Sequence, residues 1–167
     1  YYLHSALQLD GIPYVSLRYA NVYGPRQDPL GEAGVVAIFI SRMQNRQPPV
    51  IFGDGEQTRD YVYVGDVARA NLAALKHLQR RPTPATIDEG AFNISTGVEI
   101  SVNALYDQLK RLMGYRGDAV HEPQRDGEIF KIALDAAKSR RILGWEPETA
   151  FEDGLSKTIE SMQTAKS

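Results

Sequence analysis

The sequence predicts an α/β domain in which helices pack on a parallel or mixed sheet. Three observations carry this. Helical and strand-like hydrophobic periods alternate along the chain, the pattern that favours strands linked by helical crossovers. The 167 residues are 43% hydrophobic and 24% charged, the balance of a globular chain. That length gives one domain, large enough to bury a core.

The elements follow in order. Residues 1–9 read as a helix stopped by Asp10-Gly11. Ile12 to Ala20 reads as a strand, with Val15 and Leu17 on one face and Ser16 and Arg18 on the other. Asn21 to Gly34 is predicted as a long loop, of the kind that is functional or mobile. Val35 to Arg46 is predicted helical, with Val36, Phe39, Ile40 and Met43 as its buried stripe, and Pro48-Pro49 ends it. Val50-Ile51-Phe52 is a short apolar strand closed by the turn Gly53-Asp54-Gly55. Asp60 to Val64 is a second strand. It precedes a helix over about Asp66 to Gln79, with Asp66 as N-cap and Val67, Ala70, Asn71, Ala74, Leu75 and Leu78 in register. After a Pro-containing connection, Ala91 to Ser95 is a brief strand. Ser101 caps a helix with the stripe Leu105, Leu109, Leu112 and Met113, ended by Gly114. Ala119 to Glu122 is a further strand and Gln124 to Glu128 a polar loop. Asp135 caps a short helix that stops at Gly144-Trp145, and the last helix covers about Phe151 to Met162.

Composition excludes several functions. Nineteen Lys and Arg against 21 Asp and Glu leave a formal charge of −2, which argues against nucleic acid held by bulk positive charge. Without cysteine there is no disulfide framework, thiolate metal site or cysteine nucleophile, and a reducing, cytoplasmic setting is the expectation. The longest apolar run, Val35 to Ile40, is far short of the ~18 residues a membrane span needs, so no membrane partner is expected. His4, His77 and His121 have no metal-ligand spacing, and the first two read as surface residues on helices. Gly53-Asp54-Gly55 lacks the strand-glycine-helix context of a phosphate loop.

Loop arginines are more informative. Arg26, Arg59 and Arg125 lie in or beside Gly- or Pro-rich stretches. The planar guanidinium fork pairs bidentately with phosphate or carboxylate, so these positions point to a bound anion. Ion pairs with the adjacent Asp28, Asp60 or Asp126 are the plain alternative. Tyr19, Tyr23, Tyr61 and Tyr63 cluster nearby, and Tyr61 and Tyr63, two apart on a strand, share a face. Such tyrosines suit a sugar or base as well as ordinary packing.

The residue strings carry a resemblance. Arg18-Tyr19-Ala20-Asn21-Val22-Tyr23-Gly24-Pro25-Arg26-Gln27 resembles the signature after the catalytic helix in the extended short-chain dehydrogenase/reductase family, also called the NAD-dependent epimerase/dehydratases. The run from Phe52 to Ala68, containing Gly53-Asp54-Gly55 and Arg59-Asp60-Tyr61-Val62-Tyr63-Val64, is similar to its second signature. Phe92-Asn93-Ile94-Ser95-Thr96-Gly97 and Leu143-Gly144-Trp145-Glu146-Pro147 are similar to the third and fourth. The stretch Asp28 to Phe39 resembles the bacterial UDP-glucose 4-epimerase branch.

That resemblance implies an extended Rossmann-type fold, of which this chain is the C-terminal, substrate-binding portion. The family's glycine-rich NAD fingerprint, catalytic Ser or Thr and Tyr-x-x-x-Lys pair are not found here: four residues after Tyr1 and Tyr2 stand Ser5 and Ala6, not lysine. The expectation is one substrate-binding unit over residues 1–167, with 1–34 and about 91–95 contributing elements to a Rossmann domain whose NAD-binding sheet is mostly elsewhere. The chain by itself is expected to be inactive, with the N-terminal half of the same protein and copies of itself as partners.

The resemblance also implies roles. Asn21, Arg59 and Arg125 match positions on the substrate diphosphate, with Gly34 and Val35 at a helix start near the phosphates. Val50 and Phe52 match contacts to uracil, Glu128 to the ribose hydroxyls, and Tyr61 to a position near the nucleotide. Ile132 falls where residue size is thought to gate N-acetylated sugars, and Tyr19 and Val22 stand beside the nicotinamide. The implied reaction is NAD-dependent inversion at C4 of a UDP-hexose through a 4-keto sugar. A dehydratase, decarboxylase or reductase of the same family, or a non-catalytic nucleotide-sugar-binding module, are the alternatives.

Overall fold

The computed structural model describes residues 1–29, 34–80, 82–127 and 129–164. Helix α1 (Tyr2–Asp10) ends as its sequence directs: Gly11 takes the left-handed conformation at φ 65°, and its N–H reaches the Leu7 carbonyl at 3.0 Å. The strand expected over Ile12 to Ala20 contracts to β1 (Ser16–Tyr19), behind Pro13, which has no N–H to donate. The expected loop from Asn21 opens instead with a strand, β2 (Asn21–Tyr23). Then come α2 (Val35–Gln44), β3 (Val50–Phe52) and β4 (Thr58–Tyr63). Helix α3 (Val64–Leu78) starts two residues before the expected cap. Beyond it are β5 (Ala91–Ile94), β6 (Glu99–Ser101), α4 (Val102–Met113), β7 (Val120–Glu122) and α5 (Phe151–Thr164). The short helix expected after Asp135 is present as a wide, π-type helical turn over Ser139–Leu143: Asp135 Oδ1 accepts from the Ala137 N–H at 2.8 Å, and Gly144 at φ 62° ends it.

The strands form three small sheets. β1 and β5 pair in parallel. β4 is the centre of the second sheet, parallel to β2 and antiparallel to β6. β3 and β7 pair in parallel. Alternation along β4 divides the interior. Tyr61 and Tyr63 face a core built by α2, α4 and α5 around Phe39, Ile40, Leu105, Leu109 and Leu155. Val62 faces a second core with Val67, Ala70, Ile94 and Trp145. Each fully buried leucine contributes roughly 1.5–3 kcal/mol relative to an exposed one.

Two buried carboxylates join the elements. Asp60, fully buried, accepts from the Thr96 N–H at 2.9 Å, the Thr96 hydroxyl at 2.7 Å, the Gly97 N–H at 2.9 Å and the Leu134 N–H at 3.3 Å. Asp66 is not the N-cap of α3; Tyr63 holds that position without a side-chain bond. Asp66 lies buried in the first turn, bonded to Arg69 at 2.6 Å and to the N–H and hydroxyl of Thr149 at 3.1 and 3.0 Å. Its carbonyl accepts from Trp145 Nε1 at 2.9 Å. Ser101 does cap α4, accepting from the Ala104 N–H at 3.1 Å. Leu75, expected in the buried stripe of α3, is 55% exposed.

His4 and His77 are half-buried and not on the open surface: His4 Nδ1 lies 3.2 Å from the Tyr14 hydroxyl, and the His77 ring packs edge-on to Phe92. Among the described residues no helix is long and apolar enough to cross a membrane, and no group of three His, Asp or Glu is placed to hold a metal.

Candidate functional site

A cavity of about 470 Å³ opens between α2 and the second and third sheets. Five chain segments supply its walls. α2 presents Val35, Ile38, Phe39 and Arg42, which recur at helical spacing on one face. β3 presents Val50 and Phe52. β4 presents Arg59 and Tyr61, two residues apart and so on one side of the strand. Asn21 stands opposite Tyr61 in the parallel register of β2 and β4. Glu122 of β7 and Arg125 just beyond it close the remaining side.

Seven residues expected at a nucleotide-sugar site thus share one cavity: Asn21, Val35, Val50, Phe52, Arg59, Tyr61 and Arg125. Gly34 lies next door, lining a smaller cavity of about 210 Å³ with Asn21, Val22, Gln27 and Tyr61. Gly34 is packed so closely that a Cβ there would stand 2.9 Å from Gln27 Nε2. Ile132 is outside both cavities, its N–H bonded to the Thr58 carbonyl at 3.3 Å, one residue from Arg59. Glu128 lies outside the described residues. Tyr19 is at the carboxyl end of β1, 43% exposed, with its hydroxyl on Asn71 Oδ1 at 3.1 Å. Arg26, at φ 70°, lines neither cavity.

Three guanidinium groups face one carboxylate in this cavity, so its charge favours an anion. Arg42 is steadied by a bond from Nη1 to the Pro48 carbonyl at 3.1 Å, and Arg59 by one from Nη1 to its neighbour's carbonyl, that of Thr58, at 2.8 Å. Arg59 belongs to a strand and not a loop. The carboxylate of adjacent Asp60 accepts from Thr96, Gly97 and Leu134, across the strand. Arg125 lies over the Phe52 ring, its guanidinium carbon 3.7 Å from the ring centroid.

Tyrosines supply the floor. Tyr61 stacks on Phe151 at 5.5 Å, and Tyr23 meets Tyr61, Tyr63 and Phe151 edge-on. Burial pushes the Tyr61 phenol up to about 12, against a weaker downward pull from Arg59. Burial likewise raises Tyr23, aided by the charge of Asp66. The buried Tyr61 hydroxyl and Gln27 Oε1 have no hydrogen-bond partner among the described residues, and both residues line the smaller cavity.

Sequence reasoning missed Ile38, Arg42, Gln57 and Glu122. For α2 a signal existed: Val35, Ile38 and Arg42 form a second stripe beside the core stripe. For Glu122 there was none, because its place depends on the pairing of β7 with β3.

Residues 1–94 match the NAD dependent epimerase/dehydratase family. A putative UDP-glucose 4-epimerase of Methanocaldococcus jannaschii is 49% identical over 156 residues, 93% of this chain and 48% of that protein. The UDP-glucose 4-epimerase of Thermotoga maritima, solved with UDP-glucose, superposes with a TM-score of 0.89 at 46% identity, over 99% of this chain and 51% of that one. The Thermus thermophilus UDP-glucose 4-epimerase, solved with NAD, gives 0.84 at 37% identity, over 98% and 51%. The chain spans about half the length of the relatives it matches. From its signatures, its α/β fold and these likenesses together, the chain belongs to the NAD-dependent epimerase/dehydratase family.

Proposed function

We propose that this chain is the nucleotide-sugar-binding, C-terminal portion of a UDP-hexose 4-epimerase that inverts C4 through a 4-keto sugar. The observation that carries this reading is convergence: residues expected at a UDP-sugar site, from segments far apart in sequence, line one positively charged cavity. The Thermotoga maritima relative was solved with UDP-glucose, which supports the choice of nucleotide sugar.

In this reading Arg59 and Arg125 hold the diphosphate from two sides, and the Asn21 amide and the first N–H groups of α2 complete its cradle. Val50 and Phe52 take the uracil, and Glu128 the ribose. Binding energy from UDP, remote from the reacting carbon, keeps the anchor in place while the sugar turns. Ile132, beside β4, stands at the position where residue size gates N-acetylated sugars in the family, and an isoleucine there does not decide between them.

NAD, when bound, supplies the hydride acceptor and donor. The residues present fit a minor share of its site. Tyr19 offers an exposed ring at the carboxyl end of a parallel strand, the usual ligand side of such sheets, and Val22 lies on the next strand. The remaining NAD contacts and the Tyr-x-x-x-Lys pair belong, in this proposal, to the N-terminal half, and the chain alone binds UDP without turning over UDP-hexose.

Calorimetric titration with UDP tests this. Arg59→Ala and Arg125→Ala should each weaken binding by about 1.5–3 kcal/mol, the range for hydrogen bonds to charged groups. Unchanged UDP affinity in both variants would refute the diphosphate assignment.

A further inference from the structure

The cavity contains a second relationship, between an aromatic ring and a cation. Arg125 follows β7, whereas Phe52 ends β3, and the two meet only because those strands pair, with Phe52 opposite Glu122. The corner is tied on both sides. The Gly53 N–H donates to the Glu122 carbonyl at 2.8 Å, and His121 Nδ1 lies 2.8 Å from the Gly53 carbonyl. Gln57, only 6% exposed, donates from Nε2 to the Phe52 carbonyl at 2.9 Å. Gly53 stands at φ 69° and a Cβ there would sit 3.4 Å from that of Gln124, so the corner and the Arg125 segment are in close contact.

Arg125 is exposed and Phe52 half-buried, with the guanidinium over the ring. A long, solvated arginine would otherwise sample many rotamers, and ordering it on ligand binding costs free energy. A ring 3.7 Å beneath the guanidinium carbon confines it before any ligand arrives.

We infer that Phe52 is a positioning residue for Arg125: its ring, carried on a backbone that Gln57 anchors, holds the guanidinium over the cavity so that it meets a diphosphate already aligned. This deepens the UDP-sugar reading and rests on it. It gives Phe52 an action through a cation in addition to its contact with the base, which acts on the ligand directly.

A double-mutant cycle separates the two. UDP affinity is measured for the wild-type chain, Phe52→Leu, Arg125→Ala and the double variant, with folding checked by circular dichroism. The loss of UDP affinity from Phe52→Leu should be about three- to tenfold larger when Arg125 is present than when it is Ala, the direct contact with the base being common to both backgrounds. Phe52→Tyr, which keeps the ring face, should restore wild-type affinity. Equal losses from Phe52→Leu in both backgrounds would overturn the inference while leaving the UDP site intact. No UDP binding by the folded wild-type chain would overturn the UDP-sugar reading and this inference with it. Should Phe52→Leu not fold, Phe52→Met in the same cycle gives the same two outcomes.

Discussion

Replacing Asp60 should test the strand that aims Arg59 and Tyr61 at the cavity. Asp60 lies between them in sequence but faces the other way, fully buried. Its carboxylate collects three backbone N–H groups and one hydroxyl, from Thr96, Gly97 and Leu134, and so clasps β4 to the turn after β5 and to the segment before the wide turn. Asp60→Ala strands all four donors. A buried donor left without an acceptor costs about 1–3 kcal/mol. Taking about 1–2 kcal/mol for each of the three backbone groups, the surrounding turn relaxing in part, gives a loss of roughly 3–6 kcal/mol against a domain stability of about 5–15 kcal/mol. Asp60→Asn keeps the shape. Its oxygen can still accept from Thr96, but its amide then points donors at the Gly97 and Leu134 N–H groups, for a loss of roughly 2–4 kcal/mol. Urea unfolding followed by fluorescence of the buried Trp145 reads both variants. A shift in Asp60→Ala below about 1 kcal/mol would mean that this carboxylate does not hold β4 in place.

Three further outcomes follow from the same structure. The folded state raises the Tyr61 phenol to about 12 and raises Tyr23 as well, above the value near 10 of an unfolded tyrosine. Their contribution to stability is therefore fully present below pH ~10 and is lost as pH rises toward and through 12, a decline that Tyr61→Phe should make shallower in urea titrations at several pH values. His77 acts at the other end. Burial, then Arg80 and Lys138, hold it below its ordinary value, so its contribution is present above about pH 6.5 and fades as pH falls. Light scattering addresses the surface. β1 pairs with β5 on one edge, no described strand lies on its other edge, and α3 exposes Leu72 at 61% and Leu75 at 55%. Concentration-dependent self-association is expected, and a clean monomer at high concentration would refute it.

Much of the fold was legible wherever the signal was local. The Val36, Phe39, Ile40, Met43 stripe of α2 and the Ser101 cap of α4 are where periodicity and capping put them. Both depend on residues within a turn or two of one another. The failures were non-local. β2 and β6 are three residues each and exist because β4 lies between them. Asp66 looks like a cap in the sequence, yet Thr149 and Arg69 make it a buried acceptor. Leu75 lies on a helical stripe that no described element covers.

The amino-acid order alone determined the kind of domain, its helices and stops, the exclusion of thiol chemistry, and the identity of the loop signatures, because each is written within a few consecutive residues. Only the tertiary structure decided that Asn21, Val35, Phe52, Arg59 and Arg125 surround one space and that a ring on β3 carries a guanidinium from beyond β7. Strand pairing and packing bring distant segments together, and neither has a local trace from which the meeting could be read.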